Sequence, residues 1–224
     1  MRIILKADDF RADRFTEKVY LYSRYLSIIK DNNICCSLGI IGSACEHIKE
    51  STRLYIKELL ANKNVTLFNH SYYHFLAEHS SEFSGTPFEY QRDSVYKVQF
   101  LIKKLFDYEI KTFGSVANSI DKNTIRVINQ CSVFKYVYIY KYQCIEDIKK
   151  QVIWLNGYGI LEHKEDKNCV NFERFEDLFN EVNEEIITFQ MHPGGWNEID
   201  LIEFEKIVKY LKDNKHTFIT PEQL

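Results

Sequence analysis

The chain has 224 residues, 45% of them hydrophobic and 27% charged, with a net charge of −3 at neutral pH. That is ordinary globular composition, long enough for one sizeable core, and the absence of a long basic run speaks against nucleic acid as a partner. No stretch approaches the roughly 18 apolar residues of a membrane span, and "MRIILKADDF" has three apolar residues before Lys6 where a secretion signal needs roughly 7–15, so a cytoplasmic protein is expected.

Short apolar runs alternate with helical periodicities along the chain. Residues 2–7 (RIILKA) read as a strand, after which Val19, Tyr22, Leu26 and Ile29 recur at helical spacing. A strand over 34–42, a helix over 52–63 and a strand over 64–69 (NVTLFN) follow. Val95, Val98, Ile102 and Leu105 mark one face of a helix over 89–106. Next come a strand over 111–116 (KTFGSV), a helix opening at Asp121 and a strand over 134–140. Residues 152–162 hold one or two strands, 172–182 a helix and 185–191 a strand, and Phe204, Ile207, Val208 and Leu211 mark a last helix before TFIT. Strand alternating with helix implies parallel strands and crossover helices. Seven or eight such units predict an α/β fold, a distorted seven- or eight-stranded (β/α) barrel. No linker or repeat breaks the pattern, so residues 1–224 are expected to form a single domain. None of the six cysteines lies in a CxxC pair, which favours free thiols over disulfides.

In parallel α/β folds chemistry collects at the C-terminal ends of strands, and the polar residues there form a constellation. The first strand ends at Asp8 and Asp9, the third at His70 and His74, the fourth leads to Asn118 and Asp121, and the strand over 185–191 ends at His192 and Trp196. Four residues apart, His70 and His74 would share one face of a helical turn and reach one ion. One carboxylate of the Asp8–Asp9 pair would complete a set of two imidazoles and one oxygen, with positions open for water and substrate. The other carboxylate is then free to act as a base and His192 as an acid. His79 would point off the shared face, His47, His163 and His216 are expected to be structural, and Glu162–His163 is a minor rival acid/base pair.

The stretches ADDF (7–10), HSYYH (70–74) and MHPGGW (191–196) resemble, in order and rough spacing, the motifs of the polysaccharide deacetylase family, carbohydrate esterase family four. EFSG (82–85) ahead of a helix resembles a divergent intracellular branch. The resemblance implies that Asp8 is the general base, that Asp9, His70 and His74 hold one divalent metal ion, usually zinc, and that His192 is the general acid. The segment 113–128 is similar to the one that carries the family's third motif, but has neither its arginine nor its proline, and Asn118 is the candidate to stand in. A fourth motif is not recognisable; Tyr138, Tyr140 and Trp154 are candidates for that wall, and Tyr73, Asn118 and Trp196 for substrate contacts. The implied function is metal-dependent removal of an acetyl group from an N-acetylated sugar, a cytosolic precursor in surface-polysaccharide synthesis. Two rivals stand beside it: a catalytically impaired carbohydrate-binding barrel that retains the metal, and a ferrous oxygenase, which also uses two histidines and a carboxylate. The sequence does not fix the oligomeric state.

Overall fold

The computed structural model describes residues 1–17, 21–74, 81–140, 146–163 and 169–224. In chain order the main elements are β1 (Arg2–Phe10), α1 (Tyr22–Asp31), β2 (Cys36–Ile40), α2 (Glu50–Ala61), β3 (Val65–Asn69), α3 (Phe88–Phe106), β4 (Thr112–Phe113), α4 (Lys122–Gln130), β5 (Tyr136–Ile139), β6 (Gln151–Trp154), β7 (Glu162–His163), β8 (Cys169–Val170), α5 (Phe172–Asn180), β9 (Ile186–Met191), α6 (Glu198–Asp213) and β10 (Thr217–Phe218). The sheet runs β10-β1-β2-β3-β4-β5-β6, with β9 also on β1. All of its ladders are parallel, and β7 and β8 form a separate antiparallel pair. Eight strands in one curled parallel sheet with helices outside make the distorted α/β barrel that the strand–helix alternation predicts.

Sheets covered on both faces need apolar residues on both, and β2 and β3 are buried at every position. In β1 the alternation sorts side chains between two cores. Ile3, Leu5 and Ala7 join the large cluster under the helices. Ile4 joins Phe68, Tyr138, Ile153, Leu155 and Ile219 in the smaller cluster that fills the barrel. Phe68 occupies the centre because its neighbours yield space: a Cβ on Gly39 would lie 2.4 Å from its ring, and one on Gly114 2.9 Å. Asp121 caps α4 through a reciprocal box with Thr124, as the sequence led one to expect.

Between β6 and β9 the barrel closes through side-chain chemistry. The Asn156 amide acts as a surrogate peptide, donating to the Ile186 carbonyl at 2.9 Å and accepting from the Thr188 N–H at 2.9 Å, while Gly157 N–H donates to the Thr188 carbonyl. The strand expected over 111–116 is only two residues long, because the chain turns away at Gly114 into a short 3-10 turn at Val116–Asn118. Helix α1 begins at Tyr22; Val19 and His79 lie outside the described residues. Cys35, Cys36, Cys45 and Cys131 are buried free thiols, Cys169 is half-buried, and Cys144 lies outside the described residues. Among the described residues no helix is long and apolar enough to cross a membrane.

Candidate active site

Neighbouring side chains on a regular strand face opposite sides of the sheet, yet Asp8 and Asp9 both serve one rim. The register explains how: Ala7 pairs with Leu38 and Phe10 with Ile40, so β1 carries one residue more than β2 between them. The extra residue is a bulge, and Asp9 adopts a left-handed φ of 61°, which Asp tolerates better than most residues. Asp8 keeps the inward aim of Ile4 and Lys6 while Asp9 swings toward β3.

There Asp9 meets both histidines. Its Oδ1 lies 3.1 Å from His70 Nε2 and 2.6 Å from His74 Nε2, and one ligand atom from each residue fits within a span of 4.8 Å. His70 Nδ1 lies 2.7 Å from the Gly114 carbonyl oxygen. A carbonyl only accepts, so Nδ1 carries the ring hydrogen and Nε2 presents its lone pair. Nε2 and the Asp9 oxygen are then two acceptors facing each other, an arrangement that a shared cation satisfies. Burial works to raise the Asp9 carboxyl, but the two imidazoles beside it prevail and hold it well below the usual carboxylate range. Two imidazoles and an ionised carboxylate suit a divalent ion such as zinc.

The helical turn expected for His70 and His74 is not formed. Residues 72–74 form a bend, and Ser71 and His74 take left-handed φ values of 84° and 82°. Such backbone needs outside support, and the fully buried carboxylate of Glu82 supplies it. Its Oε2 accepts the N–H of Tyr73 at 2.7 Å and that of His74 at 3.0 Å, and its Oε1 accepts the Tyr90 hydroxyl.

Asp8, 2% exposed, is held on both oxygens. Lys6 Nζ donates to Oδ1 at 2.5 Å and Oδ2 at 2.6 Å, and Gln190 Nε2 donates to Oδ2 at 2.8 Å. The Gln190 amide is oriented by Asn118, whose Nδ2 donates to Oε1 at 2.8 Å. Burial pulls the Lys6 ammonium below its ordinary pKa, against the pull of Asp8, Asp9 and Glu162. On the other side of Asp8, His192 Nε2 stands 3.9 Å from its Oδ2. Its Nδ1 donates to Glu162 Oε2 at 2.5 Å, and Glu162 Oε1 also accepts the His192 backbone N–H and the Trp196 indole N–H, each at 2.7 Å. Burial opposes a charged ring, but the hydrogen bond and charge of Glu162 more than offset it and raise His192 to about 9.

No family model and no curated protein matches the sequence. Solved structures do match in shape. An acetyl xylan esterase of carbohydrate esterase family four from Clostridium thermocellum, in complex with a cobalt ion, superimposes with a TM-score of 0.68 at 14% identity over 100% of this chain and 89% of its own. The chain has the polysaccharide-deacetylase fold. A peptidoglycan deacetylase from Bacillus subtilis aligns with a TM-score of 0.65 at 16% identity, over 99% of this chain and 88% of its own. A family-four pseudoenzyme from Bacillus anthracis aligns at 0.66 and 13%, over 100% and 64%.

On this polysaccharide-deacetylase fold, Asp8, Asp9, His70, His74 and His192 converge as the strand-end rule leads one to expect. Tyr73, next to His74 in the chain, is 53% exposed and packs edge-on against Tyr72. Asn118 reaches Asp8 only through Gln190. Trp196, expected at the substrate, is instead buried: it packs on Tyr25 and Phe204 behind His192 with its N–H spent on Glu162. Tyr138 lies inside the barrel, and Trp154 faces outward at 39% exposure. The His163 side chain lies outside the described residues; Glu162, the acid of the rival couple, pairs with His192, thirty residues away. Its signal in the sequence was faint, one acid in a two-residue strand. Lys6, Glu82 and Gln190 were also missed; a lysine in an otherwise apolar strand was the sign for the first.

Proposed function

We propose that the chain is a metal-dependent amide hydrolase that removes the acetyl group from an N-acetylated sugar, with zinc held by Asp9, His70 and His74. The observation that carries the reading is the pairing of Asp8 and His192 across 3.9 Å beside the three-residue ligand cluster. With a divalent ion bound there, the ion would polarise the acyl oxygen and acidify a water molecule. The chain's own part is to move protons. Asp8, ionised, takes a proton from the water whose oxygen bonds to the acyl carbon. His192, protonated on Nε2, gives that proton to the amide nitrogen as the C–N bond breaks, so that acetate and a free amine leave. The neighbours hold both groups in place: Lys6 and Gln190 donate to the oxygens of Asp8, and Glu162 favours the imidazolium of His192. Tyr73, exposed on the rim, is the proposed sugar contact, and aromatic faces suit sugar faces.

A carbohydrate-binding barrel without turnover is the second reading, and the pseudoenzyme of similar fold gives it standing. Binding alone has no use for a base and an acid that are each held by buried partners, which favours the hydrolase. The test is release of acetate from N-acetylated amino sugars, single, oligomeric and nucleotide-linked, by metal-loaded protein. Release that stops on chelation supports the hydrolase; metal-loaded protein that binds these sugars and releases none supports the binder.

A further inference from the structure

Among the described residues Lys6 is the only lysine or arginine that is buried, with none of its surface exposed. It lies inside the barrel, its Nζ 5.1 Å from the centroid of the Phe68 ring and 5.5 Å from that of Tyr138. Two aromatic rings face it, while its register partners on β2 and β9 are the buried polar side chains Ser37 and Gln190. Taking an ammonium out of water is expensive, and a buried ion pair is often no better for stability than packed apolar side chains of the same volume. The cation therefore calls for a reason other than stability, and its contacts supply one. The short bonds from Nζ to both oxygens of Asp8 fix a carboxylate that immediately precedes a ligand of the candidate metal site.

The bulge that turns Asp9 toward His70 and His74 leaves two carboxylates side by side at one rim. A dication attracts both alike, yet the cluster of ligand atoms that fits one ion contains Asp9 and not Asp8. We propose that Lys6 is a positioning residue that gives the two neighbouring aspartates their different jobs: by clamping Asp8 from inside the barrel it keeps that carboxylate out of the metal's coordination shell and free to accept a proton. Gln190, oriented by Asn118, completes the clamp on Oδ2. The inference rests on the reading of Asp8 as base and Asp9 as ligand.

The test uses the full chain loaded with cobalt(II), whose visible spectrum reports coordination number without any substrate. Lys6→Met should change the cobalt spectrum as Asp8 joins the ligands, and Lys6→Met combined with Asp8→Asn should return it to that of the wild type. On N-acetylated amino sugars Lys6→Met should lose about a hundredfold in kcat at an essentially unchanged KM, the size expected when a catalytic group is misplaced by about an ångström. Lys6→Arg, which keeps the cation, should retain the wild-type spectrum. Should Lys6→Met fail to fold, Lys6→Gln, neutral and of similar length, carries the same expectations. A neutral variant whose spectrum and kcat match the wild type would overturn the proposal, as would a spectral change that persists when Asp8 is also replaced. If the wild type itself releases no acetate, the hydrolase reading fails while the cobalt spectra still decide the role of Lys6.

Discussion

Glu162 gives the sharpest quantitative handle on the site, because its carboxylate acts on His192 at 2.5 Å with both groups largely out of solvent, at 4% and 27% side-chain exposure. The folded-state value of about 9 for His192, against an ordinary 6.5, corresponds to about 3 kcal/mol in favour of the imidazolium. Glu162→Gln keeps an acceptor for the Trp196 and His192 N–H groups but removes the charge. Burial then acts on the ring unopposed by that carboxylate, so its pKa falls by about two units or more. As general acid His192 must be protonated, and the upper limb of the kcat/KM profile should move to lower pH by that amount. A bound dication lowers the ring in both proteins alike, so the difference between the two profiles isolates Glu162. The sign for stability is the same. A ring whose folded pKa exceeds its unfolded one binds more protons when folded, so its contribution is complete below about pH 6.5 and is lost as the pH rises to about 9. Urea unfolding of the metal-free wild type should show that loss between these values, and Glu162→Gln should not. Coincident upper limbs in wild type and variant would refute the assignment of Glu162 as the partner that keeps His192 charged.

Glu82→Ala should weaken zinc binding by roughly ten- to a hundredfold in a chelator competition, since the support of the left-handed backbone at His74 is lost while the three ligands remain. His74→Ala removes a ligand outright and should leave the purified protein with little metal by elemental analysis.

Much of this site was written in the sequence because its parts are punctuated. Asp8–Asp9, His70 and His74, and His192 before Pro193–Gly194–Gly195 all sit where an apolar run ends, and parallel α/β architecture turns such ends into one rim. What was not legible depends on contacts distant in sequence or on backbone that periodicity does not encode. A spacing of four suggested a helical turn for His70 and His74, but the left-handed φ values at Ser71 and His74, pinned by Glu82, achieve the same convergence. Trp196 read as a ligand-facing aromatic because the sequence does not tell which side of the Pro-Gly-Gly turn it packs on. The absent arginine of the third motif left Asp8 without visible support. That support comes from beneath, through Lys6 two residues earlier on the same strand face, and through Gln190 on the neighbouring strand. The barrel's closure by the Asn156 amide was equally invisible, since one side chain there stands in for a ladder.

The central claim is that neighbouring aspartates divide the work of binding metal and moving a proton, and the most direct measurement of it is acetate release by metal-loaded Asp8→Asn beside the wild type. The amide cannot take the water's proton, so the variant should bind a full equivalent of zinc and lose at least about a hundredfold in turnover. A variant that keeps both its zinc and near wild-type turnover, or one that loses its zinc as Asp9→Asn is expected to, would contradict the account.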